Sequence, residues 1–421
     1  MTLSPARVPR ADETDGVRRL TATLYGYAFL DDFVLLYPVY ALLFSDTGLS
    51  IWQVSSLFAL WSVTGIVLEV PSGAWADAVS RRLLLWLGPL LTAVGFALWV
   101  LVPSYWAFAL GFVLWGVRGA LSSGALEALV YDELARLGAA DRYARVIGRA
   151  QAAGMIAVMA AMGLAGPVLA VGGYPAVGAA SVLVCVLTAA LATRFPEHRE
   201  KPVRDEDGGR AATTLTTLRT GLVEIRRDRS VRGALLLVPA VGAVWGALDE
   251  YAPLLVRDIG VADRTVPLLL LLIYVGPTIG SLLTGAGERL GTGGLGVVLA
   301  GSALAMAAGA LAGNAVGTTL VGVAFGGFQF VNVLADARLQ DRIEGPRRAT
   351  LTSVASLGTE LATVAVFGTY ALIAASHAHS TAFAVFSVPY LVTALVLVAR
   401  DWSSDTSRPS DASPRLPAEG P

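Results

Sequence analysis

Asp31 and Asp32, Arg118, Asp249 and Glu250, and Glu360 are ionisable residues set inside long apolar runs. A charge at that depth in hydrocarbon is costly, so residues that carry it normally face a water-filled cavity, pair with one another, or bind a proton or a charged solute. A carboxylate beside an arginine loses proton affinity and a carboxylate in a dry cavity gains it, so a motion that joins and parts the two moves protons. Arg118 with Asp31 or Asp32 has the residue types and depth for such coupling. Helical neighbours point about 100° apart, so one of the two acids is expected to face Arg118, and the sequence leaves open which. A static ion pair between the two segments is the alternative. Asp249 and Glu250 lie nearer one end of their run, where they would meet a cationic solute or form a gate, and Glu360 is central in its run. Tyr27, Trp115 and Trp245 are placed to form the aromatic wall of a drug-sized pocket.

The elements that must position these residues are membrane spans. Of 421 residues, 55% are apolar and 15% charged, whereas soluble domains run near 45–50% and about 25%. A crossing helix needs roughly 20 mostly apolar residues. Twelve such runs lie near 20–44, 51–75, 83–102, 106–130, 147–170, 174–193, 234–256, 265–286, 295–313, 317–335, 350–375 and 381–399. The fold class is therefore all-α and polytopic. Lys and Arg accumulate in cytoplasmic loops. Of 31 such residues, 28 fall on the side that holds both termini, Arg257 and Arg264 fall on the other, and Arg118 lies within a span. Both termini are expected in the cytoplasm, with no cleaved leader.

A polar stretch, 195–230, separates six spans from six. The expected organisation is a tail at 1–19, a six-helix half at 20–194, a central cytoplasmic loop at 195–230, a second half at 231–400, and a disordered Ser/Pro/Asp-rich tail at 401–421. The halves echo each other as internally repeated transporters do. Leu30-Asp31-Asp32-Phe33 in span 1 matches Leu248-Asp249-Glu250-Tyr251 in span 7, and Asp132 with Arg145 and Arg149 matches Asp336 with Arg347 and Arg348.

Between spans 2 and 3 stand Gly73, Asp77, Arg81 and Arg82. With twelve spans as six plus six and a long central loop, this stretch resembles the major facilitator superfamily, in which the loop reads Gly-x-x-x-Asp-x-x-Gly-Arg-Arg; here Ser80 takes the second glycine's place. The resemblance implies that Gly73, Asp77, Arg81 and Arg82 form a latch between the halves, with Asp77 near the start of span 11. It also implies that spans 1, 4, 7 and 10 line a central cavity. Leu114-x-x-x-Arg118 followed by Gly124 and Ala125 resembles the span 4 motif of proton-coupled members.

No phosphate-cradling Gly-x-x-x-x-Gly-Lys-Ser/Thr occurs, so uphill transport must draw on an ion gradient. Cys185 is the single cysteine, which excludes internal disulfides. His198, His377 and His379 lie outside the spans and read as solvated loop residues. No cofactor, no metal and no nucleic-acid partner is expected; the basic residues are accounted for by topology. The expected protein is a monomeric, plasma-membrane, proton-coupled drug:proton antiporter-like transporter that exports small amphiphilic or toxic molecules. A proton symporter importing a small metabolite is the main alternative. A membrane enzyme or transport-inactive sensor is disfavoured because no catalytic constellation is present.

Overall fold

The computed structural model describes residues 11–78, 80–122, 124–196, 198, 229–342 and 348–406, with side chains described for most of them. Sixteen α-helices occur among these residues: α1 (Ala11–Asp32), α2 (Tyr40–Asp46), α3 (Ile51–Ala78), α4 (Arg81–Leu101), α5 (Tyr105–Ser122), α6 (Ala125–Arg136), α7 (Tyr143–Ala192), α8 (Arg229–Asp249), α9 (Ala252–Arg257), α10 (Val266–Leu282), α11 (Thr284–Gly287), α12 (Thr292–Ala312), α13 (Ala315–Arg342), α14 (Arg348–Ala374), α15 (His379–Val385) and α16 (Ser387–Thr406). Nine helical stretches are long and apolar enough to cross a bilayer, and one of them spans 53 residues. At 1.5 Å per residue that stretch extends about 80 Å, enough to cross twice. Counting it twice and adding the broken spans α1–α2 and α8–α9 yields twelve crossings in two six-helix halves.

Three elements differ from the sequence expectation. Spans 5 and 6 are not separated by a loop: α7 runs through both, and Gly173 alone, at φ 62° and ψ −165°, makes the bend. Only glycine adopts that backbone without a steric penalty. Span 1 begins earlier than expected, since the helix starts at Ala11 rather than near residue 20. The final helix likewise continues to Thr406, past the expected start of the tail. The rest of that tail, and nearly all of the central loop, lie outside the described residues.

The pseudo-repeat extends to packing. Span 2 packs on span 4 as span 8 packs on span 10, and span 3 on span 4 as span 9 on span 10. The halves meet where span 2 runs along span 11 and span 5 along span 8. Without a hydrophobic drive between helices in lipid, close approach depends on small residues. Spans 8 and 10 meet through Gly276 and Gly280 on one side and Gly322 and Gly326 on the other: a Cβ added to any of these would collide with backbone of the facing helix. Gly326→Leu is accordingly expected to destabilise the protein by about 1–3 kcal/mol or more, because the clash is with backbone that cannot rotate away. Thermal unfolding of the detergent-solubilised protein measures this, with Gly301→Leu, at a glycine facing open space, as the silent control.

The face bearing the loops after spans 2 and 4 carries most of the arginines and is called the basic face below; Arg257 and Arg264 mark the opposite face. On the basic face Ser80 N-caps α4, its hydroxyl accepting from Leu83 N–H at 3.1 Å. The residue in the second glycine's place thus satisfies one of the orphan donors at a helix start.

Candidate functional site

Spans 1 and 7 break at the repeated acidic pairs. α1 ends at Asp32 and α8 at Asp249, and each is followed by a short irregular stretch and a second, shorter helix. Prolines explain the breaks: Pro38 interrupts the ladder after α1, and Pro253 starts α9 within its first two positions, where a missing N–H costs nothing. Backbone groups freed inside a membrane must find partners in the protein. Leu36 N–H donates to Ser181 Oγ in span 6 at 3.0 Å.

At the first break the two acids diverge. Arg118 Nη2 donates to Asp31 Oδ2 in a partly exposed ion pair between spans 4 and 1. Asp32 turns instead toward span 5, where only a glycine fits: a Cβ at Gly154 would collide with its carboxylate. Span 3 contributes Gly88, whose missing side chain makes room for the Arg118 stem. One turn past Arg118, Ser122 Oγ donates back to the Arg118 carbonyl at 3.0 Å, and Gly124, at φ 70°, N-caps the helix that follows. Arg118 therefore sits where span 4 is interrupted, held among spans 1, 3 and 4.

At the second break Asp249 accepts from the Tyr274 hydroxyl of span 8 at 2.7 Å. Glu250 points into a cavity of about 480 Å³ between the halves, lined by Trp61 and Ser62 of span 2, Gly242 of span 7, and Thr359, Glu360 and Thr363 of span 11 among others. Among the described residues, Glu250 and Glu360 are the two ionisable groups on that wall. Span 11, which is not among the four spans expected to line the central cavity, supplies one of its polar sides.

Tyr27, Trp115 and Trp245, expected to form an aromatic wall, are not among the residues that line this cavity. Tyr27 is 2% exposed and donates to the Leu85 carbonyl at 3.2 Å, edge-on to Phe195, in a packing cluster inside the first half. Trp115 does not line the cavity: it is sandwiched between Tyr37, 5.1 Å away and nearly parallel, and Trp61 at 4.9 Å. Trp61 presents the aromatic surface instead. Trp245 packs against Phe325, and its Nε1 is buried with no hydrogen-bond partner among the described residues.

A closure spans the halves on the opposite face. Ser55 of span 2 and Tyr251 of span 7 share a buried hydrogen bond of 2.6 Å, and Phe58 packs edge-on against Tyr251. Farther out, Arg257 pairs with Asp46 at the end of α2 and with Asp263 at 3.0 Å, while Tyr174 donates to Asp46 at 2.6 Å. Arg257, one of the two arginines that mark that face, thus ties the halves together.

The expected basic-face latch is partly within view. The backbone of Gly73 and Asp77 continues α3, but their side chains lie outside the described residues. Arg81 pairs with Asp132 of α6 at 2.5 Å within the first half, and Arg82 reaches the Phe195 carbonyl at 3.5 Å. Beside it, Glu133 is 3% exposed and accepts from the backbone N–H of His198 at 2.8 Å and from Arg136 at 3.0 Å. Burial alone would push the Glu133 carboxyl up; the bonds from His198 and Arg136 outweigh it and hold the group below its usual range. His198 is thus tied to the first half rather than free in a loop. His379 is corrected similarly: its ring is bonded to Tyr370, not simply solvated.

The family model for the Major Facilitator Superfamily matches residues 21–362. No curated protein matches the chain in sequence. Among solved structures, the chain is similar to a point mutant of the nucleoside transporter NupG, with a TM-score of 0.75 and 13% identity over 90% of this chain and 99% of that one. It is also similar to a bacterial homolog of the human lysosomal transporter Spinster, inward-facing and unoccupied, with a TM-score of 0.64 and 17% identity over 93% and 96%. A D-xylose-proton symporter aligns with a TM-score of 0.62 and 17% identity over 90% and 96%.

Proposed function

The chain belongs to the major facilitator superfamily and is a membrane transporter of a small-molecule substrate; from that premise we propose that it is a proton-coupled exporter of small amphiphilic cations, working by alternating access. The Asp31–Arg118 ion pair, with Asp32 beside it, is the observation that carries the reading. A proton arriving at Asp31 cancels its charge and frees Arg118, and loss of that proton restores the pair; each passage between the two arrangements moves one proton. The cavity supports this substrate class. Glu250 and Glu360 give it two carboxyl groups, Trp61 an apolar face, and Thr359 and Thr363 hydroxyls, a combination suited to an amine or quaternary ammonium on an apolar body.

In this reading the protein is a monomer in the plasma membrane, the basic face is cytoplasmic, and the seal formed by Ser55, Tyr251, Asp46 and Arg257 is the outer gate, so the cavity opens inward. Gly73, Asp77, Arg81 and Arg82 act as the inner latch when the cycle reverses. The test is accumulation of a fluorescent lipophilic cation in cells stripped of their own efflux pumps. Cells carrying the protein should accumulate roughly tenfold less than cells without it, with the difference erased by a protonophore; a difference of this size corresponds to about 1.4 kcal/mol drawn from the proton gradient. Equal accumulation in both would overturn efflux of this substrate class.

A further inference from the structure

Beyond the outer gate, on the second half, lies a cavity of about 550 Å³ lined by Leu255, Asp258, Thr318, His377 and His379 among others. A chain of side-chain contacts leads from its wall to the gate. His379 Nδ1 is 2.7 Å from the Tyr370 hydroxyl. The Tyr370 ring, fully buried, stacks on that of Tyr251 with centroids 3.6 Å apart and planes 13° from parallel. Tyr251 in turn shares the buried 2.6 Å hydrogen bond with Ser55 of the first half. Four residues thus run from a cavity at the outer surface to the one buried hydrogen bond among the described residues that joins span 2 to span 7.

We propose that His379 is a positioning residue through which protons in the outer compartment loosen the outer gate. The inference rests on alternating access with the basic face inward, and on neither the substrate nor the coupling ion proposed above. Tyr370 has no other side-chain hydrogen-bond partner among the described residues, so donation from its hydroxyl to a neutral Nδ1 satisfies both groups. An imidazolium has only N–H donors. Protonating His379 therefore turns the ring nitrogen into a donor and leaves the buried Tyr370 O–H without an acceptor, a cost relieved when the tyrosines part and water enters.

The electrostatic surroundings set the sign. Burial pushes the His379 imidazole below its ordinary value, and the Asp258 carboxylate only partly offsets this. His377 is exposed and bonded to Ser376 Oγ at 2.9 Å. On the gate side the titratable and charged groups are Tyr370, Tyr251 and the cluster of Arg257 with Asp46 and Asp263, and among the described residues spans 9 and 10 present none to this cavity. A histidine whose proton affinity is lower in the closed state than in the open one contributes fully to closure above the open-state value of about 6.5, and that contribution is lost progressively as the pH falls below it. Acid outside therefore favours opening outward, the state in which an exporter takes up its proton.

The experiment is pulsed electron-electron spectroscopy on full-length protein in liposomes, without substrate. Spin labels are placed at Ser45→Cys and Ala262→Cys, exposed positions on either side of the gate, with Cys185→Ser as background. Between pH 7.5 and 5.5 the long-distance population should rise at least ~threefold. His379→Gln keeps a hydrogen-bond partner for Tyr370 but cannot titrate, and should hold the neutral-pH distribution at both values. Asp258→Asn should move the response to lower pH without abolishing it. A parent distribution indifferent to pH, or a His379→Gln protein that opens with acid as the parent does, overturns the proposal and leaves the efflux reading to its own test.

Discussion

Arg118→Ala is expected to reduce proton-driven flux by about 100-fold, since leaving one member of a partly buried ion pair unpaired costs about 3 kcal/mol or more. Loss of flux alone would not separate coupling from architecture, because an unpaired Asp31 also destabilises the fold. The Arg118→Ala, Asp31→Asn double substitution does separate them. With neither charge present, the thermal midpoint should recover toward that of the parent, as removing both partners of a buried pair is often close to neutral. Flux should stay as low as in the single variant and lose its dependence on the pH gradient. A double variant that recovers both stability and gradient-driven flux would reduce the pair to a structural tie between spans 1 and 4. Arg118→Lys should be intermediate, since an ammonium keeps the charge but not the guanidinium's fixed fork.

The twelve spans and the two-half repeat were legible because apolar length and acidic punctuation are properties of consecutive residues. Asp31-Asp32 and Asp249-Glu250 were recognisable as a pair in sequence, and the structure adds why they correspond: each closes a first half-helix, with proline shortly after. What the sequence did not disclose is rotational. Asp31 and Asp32 are equivalent in composition and depth, and Gly154 of span 5 and Gly88 of span 3, far away in the chain, make the space that sends one acid to span 5 and the arginine stem toward the other.

The same limitation explains the aromatic wall. Trp61 and Trp115 are both mid-span tryptophans whose rings stack on each other, and it is Trp61 that lines the cavity. One packing signal is readable in the sequence: Gly276-x-x-x-Gly280 and Gly322-x-x-x-Gly326 carry the small-residue spacing of tightly packed membrane helices. Neither Tyr370 nor His379 carries such a signal, since their link to Ser55 runs through stacked rings contributed by spans remote in sequence.

Substitution of Glu250 and Glu360 by glutamine tests the substrate class most directly. Both line the same cavity from different spans of the second half, and neither takes part in the Asp31–Arg118 pair. If they receive a cation, either substitution should raise the KM for a cationic substrate about tenfold and the double variant about 100-fold, provided their contributions add. A neutral analogue of the same shape should be affected much less, because glutamine retains the volume and hydrogen-bonding ends of glutamate and loses only the charge. Proton release measured without substrate should persist in the double variant, as the groups proposed to carry it are intact. An equal loss for charged and neutral substrates would place the two acids in the conformational cycle rather than in recognition, and the cavity's selectivity would then rest on Trp61 and the span 11 hydroxyls.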